Sequence, residues 1–102
     1  MASKLESIMN FMEVVLKHSD SIKDENIQIY FIRNEILFNP IGLFISIKQT
    51  TIEFYLKEYR SMDETSFILA HGRDPFHIMN NFDIFMKLYT EVKTKIGIPN
   101  VS

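Results

Sequence analysis

The predicted sheet depends most on residues 27–38, which read IQIYFIRNEILF. Isoleucine and aromatic residues dominate this segment, as is typical of β-strands. The apolar residues hold odd positions up to Phe31 and even positions from Ile36, so the alternation slips by one residue. The segment therefore contains two strands, 27–32 and 35–38, or one strand with an irregularity.

A two-residue turn at Arg33-Asn34 accounts for the slip. It places Phe31 opposite Ile36, with both side chains on the same face of the sheet. The same turn sets Ile29 opposite Phe38. A single strand with a β-bulge is the alternative, because a bulge also shifts the alternation. We predict the hairpin, since it sets these apolar residues opposite each other on one face.

The following segment alternates in a similar way and predicts a second hairpin. Strands over 42–48 and 51–59 join at Gln49-Thr50. Their apolar partners all fall on one face: Ile47 with Ile52, Ile45 with Phe54, and Leu43 with Leu56. A short final strand is predicted at 67–71. Neither predicted turn contains the glycine that tight hairpins favour, so apolar pairing alone supports this assignment.

Two amphipathic helices flank the predicted strands. Residues 4–18 place apolar side chains at intervals of three and four, and Ser3, with a glutamate three residues later, has capping-box spacing. Residues 75–96 keep the same period over five turns. Asp74 is a favourable N-cap for that helix, and Pro75 suits its first position.

The order of elements predicts an α+β fold. Five strands lie between two helices, in the order α-β-β-β-β-β-α, and form a two-layer sandwich with both helices on one face of an antiparallel sheet. The length of 102 residues fits a single domain over 1–102.

Composition excludes several classes of function. The chain has no cysteine, which excludes disulfides, zinc–thiolate centres and thiol nucleophiles. A net charge of −2 argues against a general polyanion binder. No segment resembles an export signal or a membrane span, so we expect a cytoplasmic protein. No motif indicates a cofactor or a metal, and we predict none.

In the predicted meander, the loops after the first helix and before the last strand lie at the same end of the sheet. That end would gather five acidic residues: Asp20, Asp24, Glu25, Asp63 and Glu64. Such an acidic end would steer the chain toward a basic partner.

The predicted sheet face turned away from the helices is a second candidate surface. It would carry Tyr30, Phe44, Glu53, Tyr55 and Lys57. Mixed aromatic and charged residues are typical of protein interfaces, and aromatic residues on a sheet also suit stacking of single-stranded nucleic acid. An ordinary half-exposed sheet has the same composition.

Residues 71–77 (HGRDPFH) resemble a strand end, a turn and a helix start. Backbone N–H groups at a helix N-terminus bind anions, and Arg73 and His77 could add a bidentate contact and a titratable proton. A plain turn and helix cap explains the same residues. We find no catalytic constellation in the sequence, and this segment is the alternative site for a small-anion or nucleotide-binding protein or enzyme.

These features favour a small non-enzymatic protein that binds another protein. An inhibitor of the bacterial toxin-immunity or antitoxin type, or one encoded by a phage, fits the size and the acidic loops, with a basic toxic enzyme such as a nuclease as its target. Self-association into a homodimer is a further possibility, because open sheet faces and edges pair readily.

Overall fold

The computed structural model describes residues 3–22 and 25–97, with the side chain of residue 25 left out. Within these residues the chain forms four α-helices and one three-strand sheet. In chain order they are α1 (Lys4–Lys17), β1 (Ile29–Ile32), β2 (Glu35–Phe38), β3 (Ile45–Lys48), α2 (Gln49–Ser61), α3 (Glu64–His71) and α4 (Phe82–Ile96). Short 3₁₀ turns cover Glu25–Ile27, Pro40–Gly42 and Met79–Asn81.

The first hairpin is confirmed. Strands β1 and β2 pair antiparallel with Phe31 opposite Ile36 and Ile29 opposite Phe38, and β3 pairs with the other side of β2. Arg33 turns the chain with a φ of 56°. That left-handed conformation is the one glycine normally supplies in a tight hairpin, so apolar pairing rather than turn chemistry sets the register.

The predicted five-strand sheet is wrong, because the second hairpin does not form. Only Ile45–Lys48 is a strand, and Gln49–Ser61 is helix α2. Ile52 and Leu56 are buried one helical turn apart, whereas Phe54, which the hairpin would have buried with them, is 51% exposed. The helix buries Ile52 and Leu56 through a period of 3.6 residues instead of 2.

The predicted strand at 67–71 is also helical. Asp63 caps helix α3 by accepting a hydrogen bond from the Ser66 N–H at 2.8 Å. Phe67 is buried, and Gly72, with a φ of 90°, ends the helix. A capping aspartate at one end and a glycine at the other define a helix of only eight residues.

The first helix is confirmed, and the second begins later than predicted. Ser3 caps α1 by accepting the Glu6 N–H at 3.0 Å. Helix α4 starts at Phe82 rather than at 75, because the Asp74 carboxylate accepts the Met79 N–H and closes a loop instead of capping a helix. Gly97 ends α4 with a φ of 82°.

The described residues share one hydrophobic core between the sheet and the helices. Phe38 of β2 lies 5.9 Å from Phe11 of α1 and 5.6 Å from Phe85 of α4, measured between ring centroids. Helix α2 packs along α1, and α3 packs on α2. The α+β class therefore holds, with more helix and less sheet than predicted. None of the helices in the described part of the chain is long and apolar enough to cross a membrane.

Candidate functional site

Both faces of the sheet carry apolar residues. Ile29, Ile36, Phe38 and Ile47 point toward the helices and are buried. On the opposite side, Tyr30 is 40% exposed and Ile32 is 52% exposed. Tyr30 pairs with Leu37, which is half-buried on the same side, because side chains alternate along each strand.

The exposed apolar residues continue to the residue that precedes β3. Phe44 directly precedes β3, lies in phase with Ser46, and is 67% exposed. We call Tyr30, Ile32, Leu37 and Phe44 the open face. Its polar border lies near the hairpin turn, where Glu35 accepts a hydrogen bond from the Ser46 hydroxyl at 3.1 Å and pairs across the sheet with Lys48.

Strand β1 is an edge of the sheet. The Asn39 N–H donates to the Gln28 carbonyl at 2.9 Å, so even-numbered residues of this strand bond to β2. The N–H and C=O groups of Ile29 and Phe31 consequently point away from the sheet. No hydrogen bond to these groups occurs among residues 3–22 and 25–97.

A groove of about 510 Å³ runs beside this edge. Every residue of β1 lines it, and its other wall is the end of α1 and the loop that follows. Leu16, Ile22 and Ile36 add apolar surface, while Asp20 and Arg33 stand among its polar lining residues. The groove therefore offers apolar space next to the edge of β1, where Ile29 is buried and Phe31 is half-buried.

The predicted sheet-face residues do not form one surface. Tyr30 and Phe44 lie on the open face, as expected. Glu53, Tyr55 and Lys57 lie on α2, so their predicted place on the sheet is wrong. Tyr55 packs among rings of the helical layer, with its centroid 5.4 Å from that of Phe76 and 6.3 Å from that of Phe67.

The acidic residues are not gathered at one end either. Asp20 follows the C-terminal end of α1, whereas Glu64 accepts a hydrogen bond from the Ser3 hydroxyl at the N-terminal end, at 2.9 Å. The 14 residues of α1 separate these ends by about 21 Å. Asp24 and the side chain of Glu25 lie outside the described residues.

Glu64 joins three helices. Besides Ser3, it accepts a hydrogen bond from the Tyr59 hydroxyl of α2 at 3.1 Å. Burial, reinforced by this hydrogen bond and the Glu64 charge, raises the pKa of Tyr59 to about 12. For its neighbour Asp63, the hydrogen bonds from Ser66 lower the carboxyl pKa. Glu64 thus joins the helices of this layer, while Asp63 caps α3.

The predicted anion site is not assembled at a helix N-terminus. Arg73 and His77 are exposed in the loop between α3 and α4, and His77 has a left-handed φ of 58°. His71 ends α3, with its Nε2 3.3 Å from Glu58 Oε1. One oxygen of Asp74 is buried without a hydrogen-bond partner. Within the described ranges, no group of three histidine or acidic residues is placed to hold a metal ion.

Comparison with protein-family models, with curated proteins and with solved structures finds no match to this chain. The functional argument therefore rests on the geometry of the molecule.

The sequence prediction missed the edge of β1 and the groove beside it. Periodicity places Leu16 and Phe31 on apolar faces, and polar composition places Ile22 in a loop, so none of the three indicates a groove. No local signal marks 27–32 (IQIYFI) as an edge, because edge strands usually carry a charged residue that blocks pairing and this segment has none.

Proposed function

We propose that this chain is a non-enzymatic protein-binding module that uses the open face as its binding surface. The observation that carries the proposal is that the sheet carries large apolar residues on both sides while the helices bury only one. Tyr30, Ile32 and Phe44 remain between 40% and 67% exposed. Contiguous exposed apolar residues on a soluble fold are typical of interaction sites.

The composition of the open face fits a protein partner. Aromatic residues are enriched in protein interfaces, and charged residues are depleted at their centres. The open face has two aromatic residues, Tyr30 on β1 and Phe44 directly before β3. The charged residues Glu35 and Lys48 lie at its border. The partner would present a complementary apolar surface.

An inhibitor of the toxin-immunity or antitoxin type is one form that such a module could take. Its contacts would then come from the open face rather than from an acidic end, because Asp20 and Glu64 lie at opposite ends of α1. The prediction of a basic partner therefore loses its main support, which was the acidic end. The cytoplasmic location and the lack of enzymatic activity stay predictions.

Nucleic-acid binding is less well supported than protein binding. Base stacking on the sheet would use Tyr30 and Phe44, but Tyr55 packs in the helical layer instead. The acidic Glu35 borders the face, and the chain carries a net charge of −2. Proteins that bind single strands normally combine aromatic platforms with a basic groove.

Substitution of the open face tests this proposal. The double variant Tyr30→Ser, Phe44→Ser should keep its fold and lose the partner recovered by quantitative pull-down from the native host. The control is Leu69→Ser, because Leu69 is 83% exposed on α3 in the helical layer. If the double variant and Leu69→Ser recover the partner equally well, or lose it to the same extent, the open face is not the binding surface.

A further inference from the structure

We propose that Ile41, at the tip of the loop between β2 and β3, is an anchor residue of the interface that the open face forms with its protein partner. Its side chain would enter an apolar pocket of that partner. The role of Ile41 rests on the proposed function and adds a residue that lies outside the sheet. The backbone conformation of Ile41, taken together with the exposure of its side chain, points to this role.

The loop turns sharply at Ile41 and Gly42. The Leu43 N–H donates to the Pro40 carbonyl at 3.0 Å, which closes a four-residue turn. Ile41 has a φ of 53° and a ψ of 45°, and Gly42 has a φ of 77°. Positive φ at both central residues is the pattern of a type I′ turn, whose first central residue is normally asparagine, aspartate or glycine.

Isoleucine is poorly suited to the conformation at position 41. In the left-handed region its branched Cβ comes too close to the following carbonyl oxygen. Four non-glycine residues in the described part of the chain have positive φ, and of these only Ile41 branches at Cβ. An asparagine or a glycine at this position would make the same turn with less strain.

The side chain of Ile41 contributes little to the fold. It is 85% exposed, so it buries almost no apolar surface within its own chain. Its neighbours do contribute, because Pro40 is buried and Leu43 packs against the core. These two residues fix the base of the loop and hold the strained turn in place. Strain that is held in this way and does not serve folding is typical of residues that act on another molecule.

The position of Ile41 favours the partner of the open face as the molecule that covers it. Phe44, the most exposed residue of that face, follows three residues later. The Cα atoms of Ile41 and Phe44 therefore lie within about 11 Å of each other. A standard interface covers about 800 Å² on each partner, which is wider than this distance. A partner seated on Phe44 would consequently reach Ile41.

The turn also fixes the Ile41 side chain before the partner binds. A side chain branched at Cβ has few rotamers, and the closed turn restricts its backbone. A group that is ordered in advance loses little conformational entropy on binding. An apolar pocket is the site that gains most from it, because burial removes the exposed aliphatic surface from water.

Replacement of Ile41 should move stability and binding in opposite directions. Ile41→Asn keeps the turn, relieves the strain and removes the apolar side chain. It should raise the melting temperature by about 4–8 °C. It should also weaken partner binding about tenfold or more. Differential scanning calorimetry measures the first effect, and titration with the purified protein from the open-face pull-down measures the second.

Two variants serve as controls. Ile41→Val keeps the branched Cβ and most of the apolar side chain, so both the melting temperature and the affinity should stay close to those of the wild type. Leu69→Asn removes a comparably exposed apolar side chain, at 83%, from α3. It should neither raise the melting temperature nor weaken binding.

The outcomes separate the role of Ile41 from that of the open face. If Tyr30→Ser, Phe44→Ser loses the partner while Ile41→Asn keeps it, the role of Ile41 is overturned and the open face stands. If the double variant keeps the partner, or if no partner is recovered, the proposed function fails and the role of Ile41 fails with it.

Two further results would overturn the role of Ile41. A lower melting temperature for Ile41→Asn would show that the side chain serves folding. If the wild type binds neutral phosphatidylcholine vesicles or forms a dimer, and Ile41→Asn does neither, the loop belongs to a lipid surface or to a contact with a second copy.

Discussion

Both faces of the sheet carry large apolar residues, but the environments of those residues are opposite. Ile36 on the helix side is 1% exposed, whereas Ile32, four residues earlier on the open side, is 52% exposed. Apolar character therefore does not by itself decide which face is buried. The placement of the helices decides it: Phe11 of α1 and Phe85 of α4 both contact Phe38, and the open face is left to solvent.

The remaining helices reinforce the layer on the helix side. Helix α2 packs along α1, with an ion pair of 2.6 Å between Arg60 and Glu13, and α3 packs on α2. The hydrogen bonds of Glu64 to Ser3 and Tyr59 join the same three helices. Stability is thus concentrated on one side of the sheet, and the other side is available for binding.

Replacing one phenylalanine on each side of the sheet tests this contrast most strongly. Phe38→Ala should lower the free energy of unfolding by about 3–5 kcal/mol, because it leaves a cavity between α1, α4 and β2. Phe44→Ala should change it by less than about 0.5 kcal/mol. Urea denaturation measures both values.

If the alanine variant does not fold, Phe38→Leu should give a smaller loss that can still be measured. Comparable losses at positions 38 and 44 would contradict the assignment of one face to the core and the other to solvent.

A change within the helical layer should affect stability without affecting the open face. Tyr59→Phe removes the hydroxyl that donates to Glu64 and should cost about 1 kcal/mol of unfolding free energy. The amount of partner recovered by pull-down should stay unchanged, because the open face is not altered. Tyr30→Phe, at an exposed hydroxyl, serves as the control for stability. A loss of partner binding with Tyr59→Phe would show that the two sides are coupled.

The smallest effect is expected in alkaline solution. Burial, followed by the hydrogen bond to Glu64, raises the pKa of Tyr59 from 10.0 to about 12 in the folded chain. The folded state therefore holds this proton more tightly than the unfolded state. The resulting stabilisation is complete below pH 10 and is lost as the pH rises toward 12.

The wild type and Tyr59→Phe should accordingly differ less in stability as the pH rises through this interval. Chemical denaturation at several alkaline pH values measures the difference. A gap that stays constant would mean that the Tyr59 phenol ionises alike in the folded and the unfolded chain.

Local signals explain which elements were predicted correctly. Helix α1 has a capping serine and a continuous apolar stripe, and both were readable without knowledge of its neighbours. The hairpin of β1 and β2 joins adjacent segments, so the pairing of Phe31 with Ile36 is a local test of register. The same local reasoning failed at 72–81, because Asp74 closes a loop onto Met79 instead of capping a helix at Pro75.

The segment 49–61 shows why the rest of the fold was not predictable. Ile52, Phe54 and Leu56 alternate as in a strand, while Ile52, Leu56 and Tyr59 also recur as on one face of a helix. A strand and a helix would each bury Ile52 and Leu56, and they differ mainly in whether Phe54 is buried. Packing along α1 selects the helix and leaves Phe54 half exposed.

The residues of the candidate site also divide into those whose place the sequence predicts and those whose place it does not. The sequence alone was enough to predict that Tyr30 and Phe44 lie on an exposed sheet face, because their alternation with core residues is local. It could not place Glu53, Tyr55 and Lys57, nor the acidic residues, since their positions depend on how distant elements pack.

The amino-acid sequence by itself therefore determined helix α1, the β1–β2 hairpin and the presence of apolar residues on both sheet faces, which all follow from neighbours within a few residues. Only the tertiary structure decided that 49–61 is a helix, which face of the sheet is covered, and that a groove runs beside the edge of β1. The physical reason is that apolar periodicity records which side chains seek burial, whereas the surface that buries them is supplied by other parts of the chain.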